Sequence, residues 1–335
     1  MITSLTAAEF PIVSGATVSS WHLTRVFNQP EQTMTGVSCT STVHCVTTTV
    51  DGRAVATSNG WTTFSDFSVR GAHLADTMNG VSCSSATRCE AVGSWGTATT
   101  GYGVVAVSTN GGRMWSAQHA SPIPHVLFAI TCLNDKDCYA AGVKGGSTNY
   151  WSATTSAGTH WTDHTAMVSP SVGGLSAISC VSTTNCTMTD IRGTTAVTDT
   201  SGSTWSIGSA FSTTHWIWGL SCVAGGSCVA VGVDTKGKAQ VLVSLNSGLT
   251  WRPATTPNVS GTLFGVTCLS ASTCYAVGKN ASHAIIWRTT NRITWSAMTV
   301  PAGATVLKAI SCRTASWCTA VGGNASNNAD DFTLH

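Results

Sequence analysis

The sequence predicts an all-β fold, a seven-bladed β-propeller that forms a single domain over residues 1–335. Three observations lead to this prediction. A C-x5-C pair of cysteines occurs seven times, successive pairs are 42 to 49 residues apart, and each repeat contains four short strand-like segments. Repeats of this length are typical of propellers and solenoids. Because the repeat runs along the whole chain, it argues against a division into two domains.

The four segments of a repeat follow one order. An apolar segment ends at the first cysteine, as in MTGVSC, and a second segment starts at the second cysteine, as in CYAVG. A third segment such as VLVSL follows a variable loop, and a turn then leads to a fourth segment beginning with an aromatic residue, as in SGLTWRP. Short β-branched runs between Gly, Ser and Asn turns predict four antiparallel strands. One such sheet cannot bury both faces, whereas seven sheets packed radially can.

The two ends of the chain are predicted to complete one blade together. Only 17 residues follow Cys318, too few for two outer strands, and Trp21 lies in a segment of the fourth type that has no repeat of its own. We therefore expect residues 12–26 to join the blade of Cys312 and Cys318 and to close the ring. Residues 1–11 are expected to form a flexible tail.

The fourteen cysteines are predicted to form one disulfide in each blade, across the hairpin between its first and second strands. Facing residues of such a hairpin lie about 4.5–5.5 Å apart at Cα, within the range that a disulfide can bridge. Zinc sites differ, because they combine two close C-x2–4-C pairs. The predicted bridges are Cys39–Cys45, Cys83–Cys89, Cys132–Cys138, Cys180–Cys186, Cys222–Cys228, Cys268–Cys274 and Cys312–Cys318.

Seven disulfides predict an oxidising compartment, with the cytosol of a thermophile as the alternative. We expect a secreted or cell-surface protein. The first ten residues, MITSLTAAEF, contain neither the basic nor the apolar region of a signal peptide. The expected location therefore requires an export signal that this sequence does not contain.

Composition excludes several classes of protein. The chain has 16 Lys and Arg against 14 Asp and Glu, a net charge of +2, so we predict no nucleic-acid partner. No run of about 18 apolar residues is present, and we predict no membrane span. A hydrophobic content of 42% with 13 Trp is too high for a disordered chain.

The turn between the third and fourth strands resembles a known motif. Ser108–Trp115 and Ser244–Trp251 resemble the Asp-box, S/T-x-D-x-G-x-x-W, and weaker copies occur at 57–64, 154–161, 198–205 and 288–295. The chain is therefore similar to the Asp-box (BNR-repeat) propellers, which include sialidases, some cellulases, sortilin-type receptors, photosystem assembly factors and lectins. The resemblance implies the fold and leaves the activity open. The chain departs from the motif at the Asp position. In the six copies this position is occupied by Asn59, Asn110, Ser156, Thr200, Asn246 and Thr290.

The strand order predicts two different rims. The cysteine hairpins and the Asp-box turns lie on one rim, here called the stapled rim. The loops between blades and those between second and third strands lie on the other, the variable rim. Variable loops on a rigid scaffold commonly carry binding sites.

Aromatic and short polar residues of the variable rim are the candidate ligand-binding residues. Aromatic planes stack on the C–H faces of sugars, while polar groups bind the hydroxyls. The alternative is that these aromatic residues cap blade junctions, as we expect for the apolar residues Met78, Leu127, Leu175, Ile217, Leu263 and Leu307. The candidates are Trp95, Tyr102, Tyr150, Asp190, Arg192, His215, Trp216 and Trp218.

Enzymatic chemistry receives less support from the sequence. A glycoside hydrolase needs two facing carboxylates; the chain has three Glu, and Asp76, Asp190 and Asp234 of the variable rim show no pairing motif. A sialidase would need an arginine triad, but Arg113, Arg252 and Arg292 adjoin Asp-box turns. A lyase with a His or Tyr base and a cation that neutralises a uronate remains open; its candidate residues are Tyr102, His125, Arg192, His215 and Lys308.

The sequence therefore favours an exported ligand-binding propeller that recognises carbohydrate on the variable rim, with Trp216 and Trp218 as first candidates. No catalytic residue is assigned, and no metal or other cofactor is predicted, because the ten His lack a close-spaced ligand motif. A lyase or hydrolase acting at the mouth of the central channel is the alternative. A third possibility is an assembly or scaffold protein that uses the same rim for a protein partner.

Overall fold

The computed structural model describes residues 20–26, 33–69, 77–96, 101–120, 125–144, 148–165, 174–208, 216–324 and 329–334. Within these ranges the chain forms 28 β-strands, numbered in chain order, which pair into seven sheets of four strands. The first strand of each sheet, here called the inner strand, contacts the inner strands of both neighbouring sheets, so that the ring closes. The predicted seven-bladed β-propeller is confirmed. In the same ranges no helix is long and apolar enough to cross a membrane.

Six blades are continuous in sequence, and their strands run outward from the axis in chain order. Blades 1 to 3 consist of β2 (Met34–Cys39), β3 (Cys45–Thr49), β4 (Arg53–Thr57) and β5 (Ser65–Ser68); β6 (Thr77–Cys83), β7 (Cys89–Trp95), β8 (Tyr102–Ser108) and β9 (Ser116–Ala120); and β10 (His125–Cys132), β11 (Cys138–Lys144), β12 (Thr148–Thr154) and β13 (Thr162–Thr165). Blades 4 to 6 consist of β14 (Leu175–Cys180), β15 (Cys186–Asp190), β16 (Thr195–Thr198) and β17 (Ser206–Gly208); β18 (Trp216–Val223), β19 (Ser227–Val233), β20 (Ala239–Ser244) and β21 (Arg252–Pro253); and β22 (Gly261–Cys268), β23 (Cys274–Asn280), β24 (Ala284–Thr289) and β25 (Ser296–Ala297).

Blade 7 is built from both ends of the chain, as predicted. Its inner three strands are β26 (Ala304–Thr314), β27 (Trp317–Asn324) and β28 (Ala329–Leu334), and its outer strand is β1 (Trp21–Val26). Trp21 of β1 pairs with Leu334 of β28. The tail expected at residues 1–11 lies outside the described residues.

All seven predicted disulfides are present, and they include every cysteine of the chain. In each blade the two cysteines face each other across the inner hairpin, with Cα atoms 4.0 to 4.1 Å apart. This separation is slightly shorter than the distance of about 4.5 Å that is typical of facing residues in a non-hydrogen-bonded pair. Seven disulfides indicate an oxidising compartment.

The Asp-box-like turns and the cysteine hairpins lie side by side on the stapled rim. In each of blades 1 to 6, a backbone N–H of the turn donates to the residue two positions before the second cysteine; in blade 2, Gly111 donates to Thr87 at 2.8 Å. In blade 6 the donor is Arg292, at 3.1 Å from Ser272. The turn of blade 6 is therefore one residue shorter than the motif, and Asn291 rather than Thr290 takes the Asp position, where its Oδ1 accepts the N–H of Thr294 at 2.8 Å.

The hydrophobic core is divided into seven clusters, one between each pair of neighbouring blades. The six apolar residues that the sequence assigned to blade packing are 0 to 1% exposed, which confirms that role: Met78, Leu127, Leu175, Ile217, Leu263 and Leu307. Serines directly before the first cysteine add polar links between blades. Ser38 Oγ, for example, accepts the backbone N–H of Cys83 at 2.9 Å.

Candidate functional site

Each inner strand contains a β-bulge at the fourth residue before its first cysteine. In blade 5 the pairing register moves by one residue between Ile217 and Gly219, which leaves Trp218 opposite no residue of the second strand. The shift recurs in every blade. A bulge re-aims the side chain of its extra residue. The seven bulge residues are Thr35, Asn79, Phe128, Ser176, Trp218, Phe264 and Lys308.

Glycines of the second strands make room for five of these bulges. A Cβ atom on any of them would lie 1.8 to 2.0 Å from a carbonyl oxygen of the inner strand, a distance that no side chain tolerates. These glycines, four residues after the second cysteine, are Gly93, Gly142, Gly232, Gly278 and Gly322. In blades 1 and 4, Thr49 and Asp190 take the equivalent position, and both lie at the end of their strand.

The bulge residues converge on one cavity at the axis of the ring. Its volume is about 320 Å³, and all seven bulge residues line it. Val50 and Ile191, from the loops that follow the second strands of blades 1 and 4, complete its wall. Those loops belong to the variable rim, so this channel-mouth cavity opens on the rim that the sequence favoured for binding.

Aromatic rings form one arc of the channel-mouth cavity. Trp218 lies 6.1 Å from Phe264 between ring centroids, at an interplanar angle of 59°. Trp216 packs against Trp218 edge to face, with centroids 6.5 Å apart. Trp216 and Trp218 are 53% and 36% exposed, and Phe128, which lines the cavity separately from blade 3, is 38% exposed. The arc therefore offers apolar ring surface that the core does not use.

A single cation completes this arc. Lys308 Nζ lies 4.0 Å from the centroid of the Phe264 ring, in a cation–π contact. Burial lowers the pKa of Lys308 below its usual value of 10.5, and the nearby charge of Lys279 lowers it further. Within the described parts of the chain, the ion pairs are those of Arg53 and Arg88, so the Lys308 ammonium has no carboxylate partner there.

The three polar bulge residues hold their side chains through backbone contacts. Thr35 Oγ1 and Asn79 Nδ2 each donate to a carbonyl oxygen of the next blade, at 2.6 and 2.8 Å. Ser176 Oγ donates to a carbonyl oxygen of its own blade at 3.2 Å. Because Thr35 and Ser176 donate their hydroxyl hydrogens to carbonyl groups, their oxygens can only accept hydrogen bonds from a ligand, whereas Asn79 retains a second N–H and its side-chain oxygen.

Few of the sequence-predicted site residues meet at this cavity. Trp218 lines it, Trp216 adjoins it, and His215 lies outside the described residues. Trp95 and Tyr102 stack on each other, with centroids 5.6 Å apart and an interplanar angle of 15°, and neither lines the cavity.

The other three predicted residues belong to a buried strand or to a turn. Tyr150 lies within β12 and is 2% exposed in the core between blades 2 and 3, so it offers no surface to a ligand. Asp190 is 1% exposed, and its Oδ1 accepts the N–H groups of Arg192 and Thr194 at 2.9 and 2.8 Å. Burial raises the pKa of Asp190 against the effect of these hydrogen bonds. Arg192 is exposed on the same turn.

The residues considered for catalysis are also dispersed. Among the lining residues of the channel-mouth cavity that the structure describes there is no carboxylate. Asp76 lies outside the described residues, as does the side chain of His125. The sole described grouping with metal-ligand residue types joins Glu90 to Cys132 and Cys138, which are bonded to each other and offer no thiolate.

Sequence reasoning missed most of the lining residues, including Phe128 and Phe264. A usable signal is present in the sequence, because all seven bulge residues lie four positions before the first cysteine of their pair. The signal is difficult to interpret because of the bulge. In a strand with strict alternation, the side chain of this residue would lie on the opposite face of the sheet.

Comparison with known proteins yields structures and no relatives by sequence. No family model matches the chain, and no curated protein matches it. A solved structure of Ycf48 bound to a D1 peptide aligns with 99% of this chain and 98% of its own, at 14% identity and a TM-score of 0.65. Virginiamycin B lyase from Staphylococcus aureus aligns with 95% of this chain and 100% of its own, at 13% identity and a TM-score of 0.72.

A third similar structure is the GH74 xyloglucanase from Xanthomonas campestris, at 10% identity and a TM-score of 0.67. It aligns with 91% of this chain and 52% of its own. The comparisons establish the β-propeller fold and no family. Binding proteins and enzymes both occur among these structures, so the function has to be argued from the site of this chain.

Proposed function

We propose that this protein is an exported glycan-binding propeller whose binding site is the channel-mouth cavity. The observation that carries the proposal is the convergence of seven bulge residues, one from each blade, on a single cavity of the variable rim. Such a position is free of core packing, so its side chains are available to a ligand. The seven disulfides support export, because disulfides form and persist mainly in oxidising compartments.

The lining of the cavity suits a sugar ring. Trp218 and Phe264 provide apolar ring surface beside the acceptor oxygens of Thr35, Asn79 and Ser176. A volume of about 320 Å³ is at the lower end of the range for ligand pockets, and it fits one or two sugar units. Because the seven positions hold six residue types, and only Phe occurs twice, we infer one asymmetric site per chain rather than seven equivalent ones.

Binding is favoured over glycoside hydrolysis at this site. Hydrolysis needs two carboxylates on either side of the scissile bond, and the described lining residues contribute none. We also propose that the chain belongs with the Asp-box propellers, supported by the hydrogen bond that each turn makes to its cysteine hairpin.

A glycan array followed by calorimetry tests the proposal. The wild-type protein is expected to bind a defined set of glycans. Trp218→Ala should weaken binding by more than about tenfold, since it removes the central stacking surface, and Trp216→Ala should have a smaller effect. Met114→Ala, which alters a 73% exposed apolar side chain on the stapled rim, is the matched control and should bind as wild type does.

Two outcomes would favour the other candidate functions. Release of reducing ends from a polysaccharide panel would favour a carbohydrate-active enzyme. Binding of peptides but of no glycan would favour a protein-binding scaffold, the role suggested by the D1 peptide in the similar Ycf48 structure. Glycan binding that Trp218→Ala leaves unchanged would move the site away from the channel mouth.

A further inference from the structure

Among the described lining residues of the channel-mouth cavity, one carries a charge. Of these nine residues, Lys308 alone is ionisable. It occupies the bulge position of blade 7 and is half-buried. Lys279, exposed on the second strand of blade 6, adds positive potential beside it. A cavity with walls of low polarity concentrates such a field and favours anions.

The Lys308 ammonium has unused hydrogen-bonding capacity. An ammonium group carries three donors, and the described surroundings give it the face of Phe264 at 4.0 Å and no oxygen acceptor. A lysine in solvent commonly extends its charge into water. The direction of the pKa shift, downward because of burial, means that this charge is instead partly desolvated. A negatively charged ligand group would restore the stabilisation that the ammonium loses when burial removes water from around it.

We propose that the glycan bound at the channel mouth is acidic, with a ring carboxylate, as in a uronic acid, held by Lys308. This inference rests on the proposed function and names its ligand class. In this arrangement the sugar ring packs on Trp218, its hydroxyls donate to Thr35, Asn79 and Ser176, and its carboxylate accepts from Lys308 Nζ. No covalent step is involved.

Matched pairs of glycans test the inference. The probes are oligosaccharides that contain galacturonate or galactose, and glucuronate or glucose, at the same linkage. The wild-type protein is expected to bind the uronate member of a pair at least about tenfold more tightly. Lys308→Met, which keeps the length of the side chain and removes its charge, should reduce this ratio to about one. Lys308→Arg should restore most of the preference, because it restores the charge.

Lys236→Met is the charge-matched control, since Lys236 is exposed on the variable rim but does not line the cavity. It should leave the acid-to-neutral ratio unchanged. Equal wild-type affinity for both members, or a ratio that Lys308→Met does not change, would overturn the acidic-ligand inference and leave glycan binding in place. Absence of binding to every glycan would overturn the proposed function as well. Unfolding temperatures of each variant separate lost binding from lost folding.

Discussion

Adjacent residues of each inner strand are under opposite constraints. The fifth residue before the first cysteine is apolar in every blade and 0 to 1% exposed, from Met34 in blade 1 to Leu307 in blade 7. The fourth residue is different: it includes hydroxyl, amide, aromatic and cationic side chains. Packing between blades constrains the fifth residue to be apolar, whereas the bulge removes the fourth residue from this packing. Under the proposed function, substitution at the fourth position changes the surface offered to the ligand without a cost to the core.

At this scale the sequence singled out Trp218, which lines the cavity; its role in ligand binding stays a prediction. Trp218 stood out because it belongs to the densest aromatic cluster of the chain. Tyr150 and Asp190 were expected at loops of the variable rim, but β12 extends far enough to include Tyr150, and the chain turns inward at Asp190. Where a loop ends and a buried strand begins depends on contacts with the neighbouring blade, which the sequence does not display.

Asp190 allows a test of its structural role through pH. Burial raises its pKa above the usual value of 3.8, so the native state holds the proton more tightly than the unfolded chain. The contribution of this carboxyl to stability is therefore intact below about pH 4 and is lost as the pH rises through the native pKa. Asp190→Asn keeps an oxygen that can accept the N–H groups of Arg192 and Thr194 without a buried charge. The variant is expected to exceed wild type in unfolding temperature at pH 7 and to match it near pH 3. A difference that does not change with pH would contradict this role.

At the scale of strands, the sequence predicted the four strands of each repeat and missed the bulge that recurs in every inner strand. Four strands per blade follow from short β-branched runs between turns, and the structure has them in every blade. The bulges break the period-two alternation by one residue, and the sequence analysis predicted no bulge. The signal was indirect: a glycine in the AVG segment of the second strand marks the point at which the inner strand comes too close for a side chain.

Substitution of one such glycine connects strand geometry with binding. A Cβ on Gly278 would lie 2.0 Å from the carbonyl oxygen of Thr262, so Gly278→Ala must displace the bulge that carries Phe264. We expect a loss of more than about 3 kcal/mol in the free energy of unfolding, because a clash with backbone at this distance exceeds ordinary overpacking, which costs about 1–3 kcal/mol. We also expect weakened binding at the channel mouth.

The matched control for Gly278→Ala is Gly237→Ala. Gly237 has a φ of +74° and nothing within 4 Å of its Cβ position, so alanine there costs about 1–2 kcal/mol of backbone strain. Urea unfolding measures both variants, and calorimetry with a bound glycan measures the second effect. Equal losses of stability would mean that the close approach does not constrain the strand.

At the scale of the whole molecule, each blade is stabilised by two kinds of interaction. Within a blade, a disulfide closes the inner hairpin; a seven-residue loop of this kind contributes about 2 kcal/mol in the chain-entropy model. Between blades, a hydrophobic cluster fills every junction. The cysteine spacing allowed both the count of blades and their closure to be predicted, because each blade contributes one pair. The bridges are local, however, and none of them joins the two ends of the ring.

The N-terminal part of the chain supplies the outer strand of blade 7, and Trp21 is the residue that tests how much this strand contributes to stability. Trp21 is 6% exposed and packs in the cluster between blades 6 and 7. Trp21→Ala removes a large buried side chain and should lower the free energy of unfolding by about 3–5 kcal/mol. Trp216→Ala, at a side chain that is 53% exposed, is the matched control and should cost less than about 1 kcal/mol. Urea unfolding under non-reducing conditions keeps the disulfides intact and isolates the effect of closure. Equal small losses for both variants would show that the ring is stable without the packing of β1. A large loss confined to Trp21→Ala would show that the outer strand of blade 7 stabilises the ring.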